Sequence, residues 1–365
     1  MKTVAICSSN VRKIYSESSV RKFLFCDMEI PIGILPVEPP DYDFSTDNDV
    51  LIEVKSFSCN FRDRALLLGF NHKCKMLSNH GKIMYSPFGS EFVAIVKKIA
   101  PNVKSLKVGD RVIPNCHYYD LSSVCIGVPT NYASQRMHAF HEEKLIKVPD
   151  SMPDEVAASF SIASQTGYSI IRKTSIREGD NVLVTAPTSN TSLAIIKALK
   201  NKGCKIFATS SNHKNNEAFL MNWGVDQFLL AETLLKGDTN KILFDVVIDP
   251  FYDLYLNGVI NHINYNGRYI FCGFCEQYST LDKSKLLFEE DYKGVFTKCI
   301  DKNISIIGNC IGLRSDLEDA IKDYSDNKYD ILIDSVYSGE DVIPFLERSY
   351  KDSSRTGKVV YRYTD

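Results

Sequence analysis

The chain has 365 residues, of which 44% are hydrophobic and 24% charged, and its formal net charge is −2. A nearly neutral chain of this composition has no basic surplus for nucleic acid or an anionic membrane, and its length suits two domains. No apolar run reaches the roughly 18 residues of a membrane span, and the apolar part of the N-terminus is too short for a signal peptide. The sequence therefore predicts a cytoplasmic protein whose 11 cysteines are reduced and mostly buried.

The first part of the chain, from about residue 49 to residue 148, has the pattern of short strands and turns. It predicts strands over 50–55 and 91–99, and a turn that leads into a strand at 108–112. Strands at this spacing, separated by Gly, Pro and Asn, are typical of a small barrel or sandwich.

From about residue 153 the pattern changes to strands that alternate with helices. The predicted elements are a helix over 155–174, a strand over 181–186, a helix over 192–201, strands over 205–209, 244–249 and 268–273, a helix over 317–324, and then a strand, a helix and a closing strand over 358–361. This alternation favours a parallel, doubly wound sheet that binds ligands at the carboxyl ends of its strands.

Seven short motifs follow one another along the chain. They are VKSFSCNFRD at 54–63, GSEF at 89–92, KVGDRV at 107–112, LIKVPD at 145–150 with Ala157 and Ala158, Gly167 with Tyr168, NGRYIFCG at 266–273 and GKVV at 357–360. In this order and spacing they resemble the medium-chain dehydrogenase/reductase superfamily, nearest its zinc-independent quinone-oxidoreductase branch. The resemblance implies an α/β fold with a β-rich, GroES-like catalytic domain over 1–155, completed by 312–365, and a Rossmann nucleotide-binding domain over 156–311.

The residue types at the metal positions of this superfamily argue against a metal. The zinc branch takes its catalytic ligands from positions that align with Asn60 and Ser90, and an amide and a hydroxyl are poor zinc ligands. The structural zinc lobe needs four closely spaced cysteines, and the matching stretch holds Cys116 and Cys125. The CxxC at 272–275 is interpreted as incidental rather than as a redox or metal site.

The loop after the first strand of the βαβ unit lacks the glycines that the family uses around the pyrophosphate. It offers small hydroxyl and amide side chains instead, and the following helix offers free N–H groups and a favourable dipole. These features predict phosphate binding by Thr188, Ser189, Asn190, Thr191 and Ser192. The alternative is that these residues only cap the helix and that the cofactor site has been lost.

The end of the second strand favours NADPH over NADH. It carries no carboxylate that would repel a 2′-phosphate, whereas Ser210 and Ser211 can donate to one and Lys214 can pair with it. The alternative for Lys214 is a solvated surface lysine. The resemblance adds further cofactor contacts at Thr166 and Gly273, with Tyr265 and Arg268 as weaker candidates for lining the cleft.

Without a metal, the resemblance implies reduction of activated C=C bonds in quinones, enones or enoyl thioesters. Asn60 is expected beside the nicotinamide, where it would donate to the substrate carbonyl, and Tyr85 is a candidate proton donor or else a packed aromatic. Arg62 and Asp63 follow Asn60, and Asp63 is expected to be structural. The stretch 70–85, rich in His and Lys, is expected to be a solvated loop, with recognition of an acidic or peptidic substrate as the alternative.

Other functions remain open from the sequence. The glycine-free loop suits a non-catalytic nucleotide-binding or regulatory member of the superfamily, and a metal-free carbonyl reductase is a third possibility. Dehydroamino acids in a peptide are one further substrate class for C=C reduction. The expected partners are a small-molecule or peptide substrate and a second copy of the chain, joined through the Rossmann sheet edge at 303–308, with neither nucleic acid nor membrane.

Overall fold

The computed structural model describes residues 1–11, 19–38, 43–82, 84–117, 127–210, 213–235, 242–275 and 292–364. They form two compact units: unit 1 is Met1–Ile162 with Ile333–Asp365, and unit 2 is Ala163–Leu332. Within the described residues, no helix has the length and apolar character needed to cross a membrane.

The elements of unit 1 up to the boundary are mostly strands. They are β1 (Lys2–Cys7), β2 (Ser19–Phe25), β3 (Met28–Pro36), β4 (Asp49–Ser58), α1 (Asp63–Asn79), β5 (Tyr85–Ser86), β6 (Glu91–Ile99), β7 (Arg111–Pro114), β8 (Met137–His141), β9 (Leu145–Lys147) and α2 (Asp154–Ala157). Helix α3 (Ser161–Thr174) begins in unit 1 and continues into unit 2.

Unit 2 alternates strands and helices. Its elements are β10 (Asn181–Val184), α4 (Asn190–Leu199), β11 (Lys205–Ser210), α5 (His213–Trp223), β12 (Gln227–Leu230), α6 (Ala231–Leu235), β13 (Phe244–Asp249), α7 (Tyr252–Val259), β14 (Ile263–Phe271), α8 (Tyr292–Lys302), β15 (Ser305–Gly308) and α9 (Arg314–Ser325). The chain then returns to unit 1 with β16 (Ile333–Ser338), α10 (Val342–Tyr350) and β17 (Lys358–Arg362).

The described strands of unit 1 form two sheets. One has the order β2-β3-β1-β5, and the other has the order β16-β17-β4-β6-β7-β9 with β8 also paired to β4. Nine of the ten residues of β4 are buried, as expected of a strand that is covered on both faces. The closing strand β17 is an interior strand, so it brings its first residue, Lys358, into the middle of the sheet.

The described strands of unit 2 form a parallel sheet in the order β12-β11-β10-β13-β14-β15. This is the order of a doubly wound dinucleotide-binding sheet, in which ligands bind where the strand order reverses. The reversal lies between β10 and β13, so Val184 and Asp249 mark the edge at which a nucleotide is expected. The predicted fold class is confirmed, and β15 is an edge strand as expected.

The division between the units differs from the predicted domains. Residues 312–332 were expected to complete the GroES-like domain, and they group with unit 2 instead. Helix α9 packs on α3 through specific polar contacts. Gln165 Nε2 donates to the Leu313 carbonyl at 2.9 Å, and Arg172 forms an ion pair with Asp316 at 2.8 Å. The Tyr168 hydroxyl donates to Asp323 at 2.7 Å.

The single helix predicted over 155–174 is two helices, α2 and α3, separated by three residues. Tertiary hydrogen bonds interrupt the helical ladder at this point. The Ser58 hydroxyl donates to the Ala158 carbonyl at 2.9 Å, and the Ile162 N–H donates to Glu91 at 2.6 Å. The break therefore anchors the beginning of α3 to β4 and β6.

The stretch 70–85 was expected to be a loop, and most of it belongs to the 17-residue helix α1. Asn71 and Cys74 in this stretch continue a buried stripe that begins with Leu67 and Leu68, and the polar composition of the stretch concealed it. These positions follow the spacing of one helix face, so tertiary packing stabilises a helix whose outward residues resemble those of a loop.

Glu53 on β4 makes the stability of unit 1 sensitive to acid. Burial alone would raise the pKa of Glu53, but hydrogen bonds from Arg136, Lys55 and Lys97 outweigh it and lower that pKa to about 2. A folded-state pKa below the unfolded value stabilises the fold at neutral pH, and this contribution is lost as the pH falls from about 4.5 towards 2.

We expect Glu53→Gln to lower the free energy of unfolding by about 1–3 kcal/mol at pH 7, and by much less at pH 2.5. Urea unfolding of both proteins, followed by amide hydrogen exchange in β4, measures the difference. An equal loss at both pH values would contradict an ionised Glu53.

Candidate active site

Unit 1 contains a buried polar cluster, called here the Glu91 cluster, formed by Asn60, Asp63, Ser90, Glu91 and Lys358. The Asn60 amide nitrogen donates to Glu91 Oε2 at 2.8 Å and to Ser90 Oγ at 3.1 Å. Lys358 Nζ donates to Asn60 Oδ1 at 2.7 Å and also to Glu91. The side chains of Lys358 and Glu91 are 1% and 0% exposed, so this ion pair is removed from water.

The second oxygen of Glu91 holds the beginning of α3. It accepts from the Ile162 N–H at 2.6 Å and from the Ser161 hydroxyl at 3.2 Å. The first N–H groups of a helix have no partner inside the helix, and its dipole favours a negative charge there. Glu91 is therefore bound on both oxygens, by a lysine on one side and by a helix N-terminus on the other.

Asp63 extends the cluster to the first residue of α1. Its carboxylate accepts from the Asn60 N–H at 2.8 Å, from Ser90 Oγ at 2.7 Å and from Arg62 at 3.3 Å. Burial raises the pKa of Asp63, and the neighbouring Arg62 opposes this effect. Arg62 also donates to Asn131 Oδ1 at 3.1 Å, which fixes the guanidinium at the border of the cluster.

The expected role of Asn60 as a donor to a substrate carbonyl conflicts with this geometry. An amide nitrogen has two hydrogens, and those of Asn60 bond Ser90 and Glu91. Tyr85 lies on β5, in a different sheet from β4 and β6, and is 36% exposed. The structure therefore places Tyr85 on a different sheet from the strands beside Asn60, and it leaves Asn60 without a hydrogen for substrate.

In unit 2, two of the loop residues predicted to bind phosphate serve the helix instead. Ser189 Oγ accepts from the Ser192 N–H at 3.2 Å and is the N-cap of α4. Ser192 is buried, and its hydroxyl donates to the Thr185 carbonyl at 2.9 Å. For these two side chains the capping alternative describes the structure.

The remaining loop residues still fit an anion. Thr188, Asn190 and Thr191 are half-buried, and no hydrogen bond is recorded for the hydroxyls of Thr188 and Thr191 within the part of the chain that is described. The first N–H groups of α4, at Asn190 and Thr191, belong to the turn that has no partners inside the helix. A diphosphate at this helix N-terminus would accept hydrogen bonds both from the threonine hydroxyls and from these N–H groups.

Ala186 occupies the first turn of this loop with a φ of 43°, a left-handed conformation that favours glycine. We expect Ala186→Gly to raise the free energy of unfolding by about 0.5–1 kcal/mol, because relief of strain exceeds the added freedom of the unfolded chain. Urea unfolding measures it through the emission of Trp223, whose indole donates to the Leu193 carbonyl at 2.9 Å. A matched Ala198→Gly change inside α4 should lower the free energy of unfolding. If both variants lowered it, the inference that the backbone of Ala186 is strained would be contradicted.

The carboxyl end of β13 carries a buried acid, Asp249. It accepts from the Thr185 hydroxyl at 2.7 Å, from the Phe251 N–H at 2.9 Å and from the Tyr269 hydroxyl at 2.6 Å. Burial raises the pKa of Asp249, although the hydrogen bonds from Thr185 and Tyr269 lower it. Because Thr185 also accepts from Ser192, a continuous network joins the N-terminus of α4 to β13 and β14.

The other predicted cofactor contacts are placed as follows. Ser210 ends β11, but its side chain, Ser211 and the side chain of Lys214 lie outside the described residues. Thr166 is buried on α3. Gly273 follows β14, and a Cβ there would come within 2.8 Å of the Pro250 carbonyl oxygen, so only glycine fits.

Arg268 and Tyr265, the weaker candidates, lie away from the expected nucleotide edge. Arg268 forms an ion pair at 2.7 Å with Asp180, which directly precedes β10, and it also donates to the Thr174 carbonyl. These contacts belong to the amino end of the sheet. Tyr265 lies near the beginning of β14 and is largely exposed.

Comparisons with known proteins agree with this architecture. Residues 46–150 match the alcohol dehydrogenase GroES-like domain. An acryloyl-coenzyme A reductase of Sulfurisphaera tokodaii is 24% identical over 338 residues, which cover 86% of this chain and 92% of the relative. The match therefore runs through most of the length of both proteins.

Solved structures show the same fold. A thermostable alcohol dehydrogenase from Pyrobaculum aerophilum superposes with a TM-score of 0.73 at 19% identity, over 99% of this chain and 100% of that one. The quinone oxidoreductase from Coxiella burnetii gives 0.69 at 19% identity, over 99% of both chains. The chain contains an alcohol dehydrogenase GroES-like domain, and its fold is the one shared by these two solved structures. These similar proteins are named as a reductase, an alcohol dehydrogenase and a quinone oxidoreductase.

The Glu91 cluster contains both positions at which the family that the sequence resembles has its zinc ligands. Asn60 and Ser90, which align with the zinc ligands, are bonded to each other, and Asn60 Oδ1 is bound by the Lys358 ammonium. Neither an amide nor a hydroxyl suits zinc. Within the described residues, no group of three His, Cys, Asp or Glu side chains could hold a metal. The residues present do not fit a zinc ion.

Proposed function

We propose that the protein is an NADPH-dependent reductase of activated C=C bonds that works without a metal, with enoyl thioesters as its preferred substrates. The carrying observation is the Lys358 ammonium, which binds Asn60 at one of the two positions that align with zinc ligands and also binds the neighbouring Glu91. A reductase without a Lewis acid is suited to substrates whose carbonyl already activates the double bond. The full-length similarity to a protein named acryloyl-coenzyme A reductase supports the thioester class.

Unit 2 is the part that would bind the dinucleotide. The parallel strand order, the donors at the N-terminus of α4 and the close approach at Gly273 support this assignment. NADPH, when bound, supplies the hydride. The preference for NADPH rests on the sequence after β11, where Ser210, Ser211 and Lys214 stand and no carboxylate does.

Unit 1 is the part that would bind the substrate, and Arg62 replaces Asn60 as the candidate donor to the substrate oxygen. Its side chain is 38% exposed, and its recorded hydrogen bonds use only one of the guanidinium nitrogens, Nη1. Contacts with Asp63 and Asn131 would hold the remaining N–H groups in place while negative charge develops on the carbonyl oxygen. The Glu91 cluster would act as the rigid support behind it.

The proposal is tested first by nucleotide binding. Titration with NADPH and with NADH, followed by Trp223 quenching, should show tighter binding of NADPH, and Lys214→Ala should weaken NADPH alone. NADPH oxidation is then measured with crotonyl-CoA, an enone and a quinone, before and after treatment with a chelator. Turnover that is unaffected by the chelator is expected.

Three outcomes would contradict this function. No binding of either nucleotide would favour a non-catalytic member, because the capped loop would then have lost the cofactor. Turnover of ketones alone would favour a carbonyl reductase. Activity lost to the chelator and restored by zinc would overturn the metal-free assignment.

A further inference from the structure

We propose that Thr185 and Asp249 are positioning residues of the nucleotide site, and that the hydrogen bond between them keeps the loop before α4 in a shape that accepts a diphosphate. Neither residue touches the nucleotide in this proposal, because both act through the backbone of Ala186. The inference rests on the proposed function, and it explains how a loop without glycine receives the diphosphate of NADPH.

Thr185, the residue directly after β10, is fixed by three hydrogen bonds. Its N–H donates to the Ile248 carbonyl at 3.1 Å, and its hydroxyl donates to Asp249 Oδ1 at 2.7 Å. Its carbonyl accepts from the Ser192 hydroxyl at 2.9 Å, and its side chain is fully buried. The first two bonds lead to β13 and the third leads to α4, so the backbone that enters the loop has a fixed position.

The turn that follows is held at both ends. Ala186 comes directly after Thr185 and has a φ of 43°, which disfavours a residue with a Cβ. The Ser189 N–H donates to the Ala186 carbonyl at 3.0 Å, and Ser189 is also the N-cap of α4. Because the residue type does not favour this turn, the tertiary contacts on either side of Ala186 impose it.

Asp249 is a firm anchor for Thr185, because two other donors hold its carboxylate. The Phe251 N–H donates to Oδ1 at 2.9 Å, and the Tyr269 hydroxyl donates to Oδ2 at 2.6 Å. Asp249 is fully buried at the carboxyl end of β13, next to the point where the strand order reverses. The anchor therefore lies at the edge of the sheet where a nucleotide is expected.

A fixed loop favours binding of the nucleotide through entropy. A diphosphate at the N-terminus of α4 lies close to the loop backbone, so the loop must have the right shape when the nucleotide is bound. A loop that already has this shape loses less conformational freedom on binding. In the glycine-rich form of this loop the residue type permits the turn, whereas here the bond from Thr185 to Asp249 maintains it.

The first test removes the hydroxyl of Thr185. For Thr185→Val we expect the Kd for NADPH, measured by Trp223 quenching, to rise about five- to tenfold, because the loop must be ordered when the nucleotide binds. Thr185→Ser keeps the hydroxyl and should remain within about twofold of wild type. Thr209→Val is the matched control, since Thr209 is a buried threonine near the end of the neighbouring β11. Its hydroxyl has no hydrogen-bond partner within the described residues, so its loss should leave NADPH affinity unchanged.

A rescue experiment separates positioning from a general loss of stability. Glycine adopts left-handed backbone angles without a Cβ penalty, so Thr185→Val/Ala186→Gly should recover NADPH affinity to within about threefold of wild type. Ala186→Gly alone should change it less than about twofold, because the loop is already held. Adenosine 2′-phosphate contains the adenine and the 2′-phosphate but no diphosphate, so wild type and Thr185→Val should bind it equally well in calorimetry.

Four outcomes decide against the inference. Unchanged NADPH affinity in Thr185→Val would overturn it while the proposed function remained. So would a loss that Ala186→Gly does not restore, or an equal loss of NADPH and adenosine 2′-phosphate, because the hydroxyl of Thr185 would then only stabilise unit 2. If wild type bound neither NADPH nor NADH, the proposed function would fail and this inference would fail with it.

Discussion

Lys358→Met is expected to lower the free energy of unfolding of unit 1 by about 3–5 kcal/mol, because it leaves the Glu91 carboxylate buried without its counter-charge. Glu91 is fully buried, and Lys358 is the cation that contacts it directly. The substitution also removes the donor to Asn60 Oδ1, so the amide of Asn60 loses one of its fixed contacts. Hydrogen exchange of β4, β6 and β17 at increasing urea measures the loss in unit 1.

A double-mutant cycle separates charge from packing. Glu91→Gln alone should also destabilise unit 1, since it leaves the Lys358 ammonium buried without a counter-charge. Combining Glu91→Gln with Lys358→Met removes both charges, and we expect the double variant to recover a large part of the stability lost by either single change. If the stability losses of the two single variants simply added in the double variant, a direct charge pair between Glu91 and Lys358 would be contradicted.

Asp249→Ala is expected to destabilise unit 2 by about 3–5 kcal/mol, since it removes the acceptor of two buried hydroxyls and of one half-buried N–H. These are the Thr185 hydroxyl, the Phe251 N–H and the Tyr269 hydroxyl. The chain has a single tryptophan, Trp223 on α5, so its emission during urea unfolding reports on unit 2.

Tyr269→Phe is the control for this network. It removes one donor and leaves Asp249 with two, so we expect a loss of about 1 kcal/mol. If Tyr269→Phe cost as much as Asp249→Ala, the tyrosine rather than the carboxyl would be the centre of the network. NADPH affinity measured on both variants would show whether the hydrogen-bond network that joins Asp249 to the N-terminus of α4 also contributes to nucleotide binding.

Local patterns in the sequence were sufficient for the type of fold and for several of the strands, although the strands before residue 37 were not predicted. The alternating and apolar segments predicted β6 with its observed bounds, Glu91–Ile99, and the parallel arrangement that contains β10 and β13. Helix α1 was missed because its outward residues are those of a loop. Its buried residues, Leu67, Leu68, Asn71 and Cys74, were the signal that could have indicated a helix.

The candidate site was harder to predict than the fold, because its contacts join residues that are far apart in the sequence. Motif alignment identified Asn60 and Ser90, yet their role depends on Lys358, which lies 267 positions after Glu91. The GKVV motif was recognised as a closing strand, and nothing local showed that its lysine would be buried against a glutamate. Similarly, Ser189 and Ser192 have suitable side chains for phosphate, and only the structure shows them engaged with the helix.

The contribution of β17 to unit 1 has a consequence for biosynthesis. Unit 2 is one continuous segment, whereas unit 1 needs residues made before and after it. On the ribosome, Glu91 emerges long before Lys358, and β4 emerges long before its neighbour β17. Unit 2 can therefore complete its folding while unit 1, the discontinuous half, still has an open strand edge and an unpaired acid. Chaperone engagement and proteolysis during translation should concentrate on that half until its last strand is released.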